Sequence, residues 1–134
     1  MKGIYILVIS VDADESIKVG ALGKISFEKG IYLYVGSAQN NLEKRIQRHM
    51  RKDKTKRWHI DYFLNIGKID GVYYMQAPKE EECRTAGILQ EKHLPIKGFG
   101  CSDCKCNGHL FKAVHNLELK KHGFKIYEPT NKVV

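Results

Sequence analysis

Cys101, Cys104, Cys106 and His109 place four soft donors within nine residues, in the pattern C-x2-C-x-C-x2-H. Thiolates and imidazole are the ligands of tetrahedral Zn2+, so a structural zinc site is one chemistry this segment offers. The spacing argues against it: zinc knuckles usually separate two ligand pairs by a longer loop, and a C-x-C pair is awkward for one tetrahedral ion. Buried, packed thiols are the competing reading. A second chemistry lies in the charge. From Lys44 to Arg57 the sequence KRIQRHMRKDKTKR carries eight basic residues and one acid, a net of +7 within a total of +8. So local a field suits a polyanion, through phosphate neutralisation and counterion release, and equally a solvated helix face; the aromatic and catalytic context below favours the first. Lys44, Arg48, Arg51, Lys52, Lys54, Lys56 and Arg57 are the residues expected to meet nucleic-acid backbone.

The elements that must position these groups follow from apolar periodicity. GIYILVIS, Gly3 to Ser10, reads as a buried strand, and VDADES followed by IKVGALGKISF reads as a hairpin excursion around Gly20 and Gly23. In IYLYVG, Ile31, Leu33 and Val35 alternate with Tyr32 and Tyr34, so both tyrosines face one side of a strand, a side not expected to be plain core. SAQNN supplies an N-cap, and Leu42, Ile46 and Met50 recur at helical spacing. Arg45 and His49, four apart, then share a face beside that stripe and can act on one target. RWHIDYFL predicts a short helix, VYYM a strand, and Glu80 to Lys92 a helix with Cys83, Ala86, Leu89 and Leu94 as its less polar positions. A Gly- and Cys-rich loop follows, then HLFKAVH as a strand, NLELKKH as a helix closed by Gly123, and FKIYE as an edge strand. The expected class is α+β, with about three main antiparallel strands plus an extra hairpin, flanked by helices.

Length and composition bound the rest. With 134 residues and 43% hydrophobic content, one domain over 1–134 is expected. The longest apolar run, Ile4 to Ile9, is too short for a bilayer and no basic-then-apolar leader precedes it, so a cytoplasmic protein is expected. In a reducing compartment the four cysteines are available to metal or to burial rather than to disulfides. His59 and Asp61 stand two apart on a helix and point different ways, which argues against a metal pair. Trp58 and Tyr62, four apart, are read as packing the helix onto the sheet.

The order Gly3-Ile4-Tyr5, then YVGSAQNNLEKRIQRH from Tyr34, then a glutamate-bearing helix resembles the GIY-YIG nuclease superfamily over roughly residues 3–94. Trp58 to Tyr62 (WHIDY) and Gly98 to Phe111 resemble a small prokaryotic branch of it. The resemblance implies a metal-dependent endonuclease that hydrolyses a phosphodiester bond in DNA, in repair or processing, with Tyr5, Tyr34, Arg45, His49 and Glu82 as its catalytic residues. Glu82 would bind one Mg2+ (or Mn2+), Arg45 would clamp the phosphate, and Tyr5 or Tyr34 would relay a proton from the attacking water. Because a free phenol is a poor base, Arg45 and the metal would have to lower its pKa. His49 would assist proton transfer or phosphate binding. The 28 residues between Tyr5 and Tyr34 exceed the usual connection, which marks the hairpin at about 12–27 as an insertion, while about 95–134 forms a Cys/His-containing extension in which Asp103 and His109 can also line the cleft. Two other classes stay open: a module of the same fold that binds nucleic acid without cutting it, and a zinc-stabilised interaction domain.

Overall fold

The computed structural model describes residues 1–100 and 106–128; Cys101, Asp103 and Cys104 lie outside them. The chain opens with β1 (Gly3–Val11), followed by the hairpin β2 (Glu15–Lys18) and β3 (Lys24–Phe27), then β4 (Gly30–Ala38), α1 (Leu42–Met50), α2 (His59–Phe63) and β5 (Gly67–Gln76). Helix α3 (Glu80–Gln90) leads to β6 (Leu94–Pro95), β7 (Leu110–Lys112), a 3-10 turn at Leu119–His122 and β8 (Lys125–Ile126). Among the described residues, six strands form one sheet in the order β6-β7-β4-β1-β5-β8, and β2 pairs with β3 separately. Every pairing is antiparallel. The fold is α+β, as expected from the sequence, with β1, β4 and β5 as the long strands and three short strands extending the edges.

Period-two alternation sorts the strand residues onto two faces. Tyr5, Leu7, Ile9, Tyr32 and Tyr34 point one way, toward Leu42 and Ile46 of α1 and Ile60 and Phe63 of α2. Ile4, Ile6, Leu33 and Val35 point the other way, toward Ala86 and Leu89 of α3 and Phe124 beyond the 3-10 turn. Leu42 and Ile46 are both fully buried, and burying side chains of this size contributes roughly 1.5–3 kcal/mol each. Asn41 caps α1 by accepting the Lys44 amide at 3.0 Å, as the polar turn before the helix suggests.

Three expectations change in the structure. Leu94 is not on α3: the helix ends at Gln90, and Leu94 starts an edge strand with 56% of its surface exposed. NLELKKH forms a single 3-10 turn, closed by Gly123 in the left-handed conformation, because Glu118 itself takes φ 47 and interrupts any longer helix. The tyrosine-bearing face of β4 is partly core after all. Tyr32 is 1% exposed and packs edge-on against Phe27 and Phe63, leaving Tyr34 at the other end of the strand to border open space.

Asp61 locks α2 to α1. Its carboxylate, wholly buried, accepts the amides of Arg57 (2.8 Å) and Trp58 (2.9 Å) at the start of α2, and both forks of the Arg48 guanidinium at 3.0 and 3.1 Å. Burial pushes its pKa up, but Arg48 and the two amides outweigh that and hold it below the ordinary carboxylate value. Replacing Asp61 by Ala leaves two helix-entry amides and a largely buried guanidinium unpaired. A loss of about 3 kcal/mol is expected. Urea unfolding should show it as a lower midpoint with unchanged slope, and an unmoved midpoint would deny the carboxylate this role.

Candidate functional site

The site begins with a missing side chain. In the β1–β4 register Tyr5 lies opposite Gly36, and its ring lies across the glycine. A Cβ on Gly36 would fall 2.4 Å from both Cζ and Oη of Tyr5, a distance at which one of the two must move. The cleared space lets the Tyr5 hydroxyl reach Nε2 of His49 on α1 at 2.6 Å. Tyr34, on the same face, stands with its ring centroid 6.5 Å from that of Tyr5 and 6.1 Å from that of His49. Two strand tyrosines thus form an aromatic floor, with a helix histidine packed behind them.

Around this floor opens a cleft of about 1030 Å3 whose walls include Ser37, Lys44, Arg45, Arg57, Trp58 and Glu82. Arg45 donates to the Ser37 carbonyl at 3.1 Å, and its guanidinium carbon lies 4.6 Å from the Trp58 ring centroid. Arg48 lies over the same indole at 4.3 Å. Trp58, read from the sequence as a packing residue, is therefore a platform for two guanidiniums at the mouth of the cleft. A planar cation held against an aromatic ring keeps less rotamer freedom to lose when it meets a phosphate. His59, next in sequence, accepts the Gly100 amide at 2.9 Å and so ties the loop before residue 101 to α2.

The seven basic residues expected to meet backbone differ in their surroundings. Lys44, Arg51, Lys52, Lys56 and Arg57 are exposed. Arg48 is held by Asp61 and by the Thr55 carbonyl, and Lys54 turns back onto the carbonyls of His49 and Arg51 at the end of α1. Those two carry positive potential but direct their donors inward.

Opposite Arg45, the first turn of α3 brings Glu82 to the cleft, where its Oε2 lies 3.1 Å from Nδ1 of His109. His109 is 3% exposed, and its own backbone holds it between Phe99 and Val35. Beside it, Cys83 of α3 and Cys106 complete a group of three ligand atoms that lie within 4.8 Å of one another, which can hold a metal ion. Cys106 and His109 belong to the expected cluster; Cys101 and Cys104 lie outside the described residues. Cys83 was missed as a ligand because at helical spacing it reads as a weakly polar position of α3. Its signal was its place next to Glu82 in a chain with further soft donors.

Electrostatics keep the floor neutral. Burial pushes the Tyr5 phenol well above its ordinary pKa, with the Arg45 charge and hydrogen bond acting in the opposite direction, and Tyr34 is also raised well above it by burial and by Tyr5. Arg45 does act on Tyr5 in the sense expected from the sequence, but desolvation outweighs it. Burial also depresses His49, to about 3, against the pull of Asp61. His49 is therefore a neutral imidazole at pH 7. Nδ1 of its ring is buried and has no hydrogen-bond partner among the described residues, an arrangement that disfavours a charged ring.

Two outcomes follow from this geometry. Gly36→Ala should displace the Tyr5 ring, break its hydrogen bond to His49 and destabilise the fold by about 1–3 kcal/mol. A crystal structure of the variant with Tyr5 unmoved would refute the close-fit account. For His49, the folded pKa lies below the unfolded value of about 6.5, so the unfolded chain takes up the proton first and stability is lost as pH falls from 6.5 toward 3. Between pH 6.5 and 4.5 the loss from this residue should reach about 2–3 kcal/mol, at ~1.36 kcal/mol per pH unit. Urea midpoints of the wild type and His49→Gln should converge over that interval, and parallel profiles would show that His49 does not resist protonation.

The comparisons with known proteins are few. No curated protein and no solved structure matches the chain. A family model does, over residues 4–130, which is nearly its whole length. The chain belongs to the family described as Domain of unknown function DUF123.

Proposed function

We propose that the protein is an endonuclease of the GIY-YIG type that hydrolyses a phosphodiester bond in DNA with the help of a hard divalent cation, Mg2+ or Mn2+. The observation that carries this reading is Tyr5, lining one cleft with Arg45 and Glu82 and hydrogen-bonded from behind to His49. Hydrolysis requires an acceptor for the proton of a water nucleophile, a cation to hold the scissile phosphate, and compensation for charge gathering on its oxygens. The exposed cations Lys44, Arg51, Lys52, Lys56 and Arg57 supply a strongly positive flank for the phosphate backbone, one that reads no base edges.

The residues fit the implied ion. Glu82 offers a hard carboxylate oxygen at a cleft wide enough to keep the water and phosphate ligands that Mg2+ prefers. When bound, the ion would supply Lewis-acid stabilisation of phosphate and leaving-group oxygen. The chain's own residues do the rest. Arg45, steadied by Ser37 and Trp58, is placed to hold the phosphate. The phenol of Tyr5 keeps its proton at rest, so it accepts the proton of a water as it passes its own to Nε2 of His49, and no phenolate has to accumulate. Asp61 favours the imidazolium that results, since its charge raises the pKa of His49. Tyr34 lines the floor beside Tyr5 and excludes water from its far side.

Purified protein should nick one or more of duplex, single-stranded, branched and abasic DNA in Mg2+ or Mn2+ and be inactive in chelator. Arg45→Ala, Glu82→Ala and Tyr5→Phe should each reduce the rate by about 100-fold or more, the scale expected for losing an electrostatic or proton-transfer group. Salt-dependent binding with no metal-dependent cutting of any of these substrates would replace the nuclease by the non-catalytic binding module.

A further inference from the structure

The soft donors beside Glu82 are the feature that the nuclease reading leaves unused. Cys83 comes from the first turn of α3, while Cys106 and His109 come from the segment leading into β7. Two elements distant in sequence thus direct two thiols and an imidazole at one point. We propose that Cys83, Cys106 and His109 form a site for a soft divalent cation of the Zn2+ class, with the Glu82 carboxylate holding the His109 ring in its ligating orientation.

The donor chemistry selects the metal. Thiolate and imidazole suit Zn2+ and discriminate against Mg2+, which takes oxygen. Tetrahedral Zn2+ places two sulfurs about 3.8 Å apart, and a sulfur and a nitrogen about 3.5 Å apart, given its usual bond lengths. Starting from ligand atoms within 4.8 Å of one another, closure asks them to approach by about 1.3 Å at most. Cys83 is exposed and Cys106 half-buried, so both have room for that movement. His109 needs none. Its amide donates to the Phe99 carbonyl at 2.8 Å, its carbonyl accepts the Val35 amide at 2.9 Å, and Nδ1 lies 3.1 Å from Glu82. With Nδ1–H on the carboxylate, Nε2 is assigned to the metal, in the arrangement by which an outer carboxylate fixes the tautomer of a ligating histidine. Three protein ligands leave a fourth position for water or another donor.

The proposal stands apart from the nuclease reading, because a protein that cuts nothing could still hold the ion. It also differs from a site made only within residues 101–109, because it requires Cys83. The test loads chelator-stripped full-length protein with Zn2+ and measures stoichiometry by mass spectrometry and affinity by competition with a chromophoric chelator. Co2+ serves as a spectroscopic substitute. One ion per chain is expected, with a thiolate-to-Co2+ charge-transfer band. Cys83→Ser should lose about half of that band and weaken binding 100-fold or more, and Glu82→Gln should weaken it about tenfold while leaving the band in place. Melting of the metal-free proteins separates ligand loss from misfolding, since Cys83→Ser should unfold like the stripped wild type. Absence of a tightly held ion in the wild type would overturn the proposal. So would a Cys83→Ser protein that keeps wild-type affinity and spectrum.

Discussion

The antiparallel register that sets Tyr5 against Gly36 governs the whole cleft. Alternation along a strand has a period of two, so a slip of one residue between β1 and β4 would turn every side chain of the slipped strand to the other face of the sheet. The register is secured at both ends of the pair. Gly3 meets Ala38 at one end and Val11 meets Gly30 at the other, across nine consecutive partners. Apolar side chains on both faces of the sheet add to that specification, since either face would lose its core by slipping. Gly36 therefore acts as a receptor for a ring and not as a turn residue: its backbone is ordinary extended strand, with no positive φ. Space is what its missing side chain provides.

A second constraint comes from the other side of the cleft. Asp61 gathers two amides and a guanidinium, and the guanidinium it holds is stacked on Trp58, whose other neighbour is Arg45. The motif WHIDY is thus largely a device for positioning α1 and its cations against α2. A carboxylate buried without such partners would be strongly disfavoured, and an arginine pair on one indole would repel. Together each offsets the penalty of the other, and the net result is a rigid positive rim directly above a neutral floor.

The fold was readable wherever a residue's neighbours in sequence decide its conformation. The α1 boundaries, a cap within SAQNN and the places of β1 and β4 come from local periodicity and capping, while VYYM marks only part of the ten-residue β5. Tyr5, Tyr34, Arg45 and Glu82 border one cleft, with His49 behind Tyr5, and each falls at a fixed spacing from a strand or helix that the pattern reveals. What was hidden depends on long-range pairing. Nothing local tells that Cys83 approaches Cys106, that His59 accepts from Gly100, or that Trp58, packed against the core as expected, also carries two guanidiniums. Strand β6 escaped altogether, and β7 and β8 are shorter than HLFKAVH and FKIYE suggest, for the same reason. Two or three residues form no periodic pattern, and their partners alone make them strands.

Burial moves Tyr5 and His49 in opposite directions, the phenol away from losing its proton and the imidazole away from gaining one. Each shift disfavours charge at rest, and together they make the resting pair neutral. Transfer of a proton from phenol to imidazole inside the floor would create two buried charges at once, so it is unfavourable unless the phenol is resupplied from outside. A water at the cleft is the group that can resupply it, which couples uptake of a proton by His49 to loss of one by that water. On the nuclease reading this coupling explains why two side chains with such unsuitable individual pKa values sit together. Neither is required to act as a free acid or base, and idle ionisation of the site is suppressed until a nucleophile and a compensating charge are both in place.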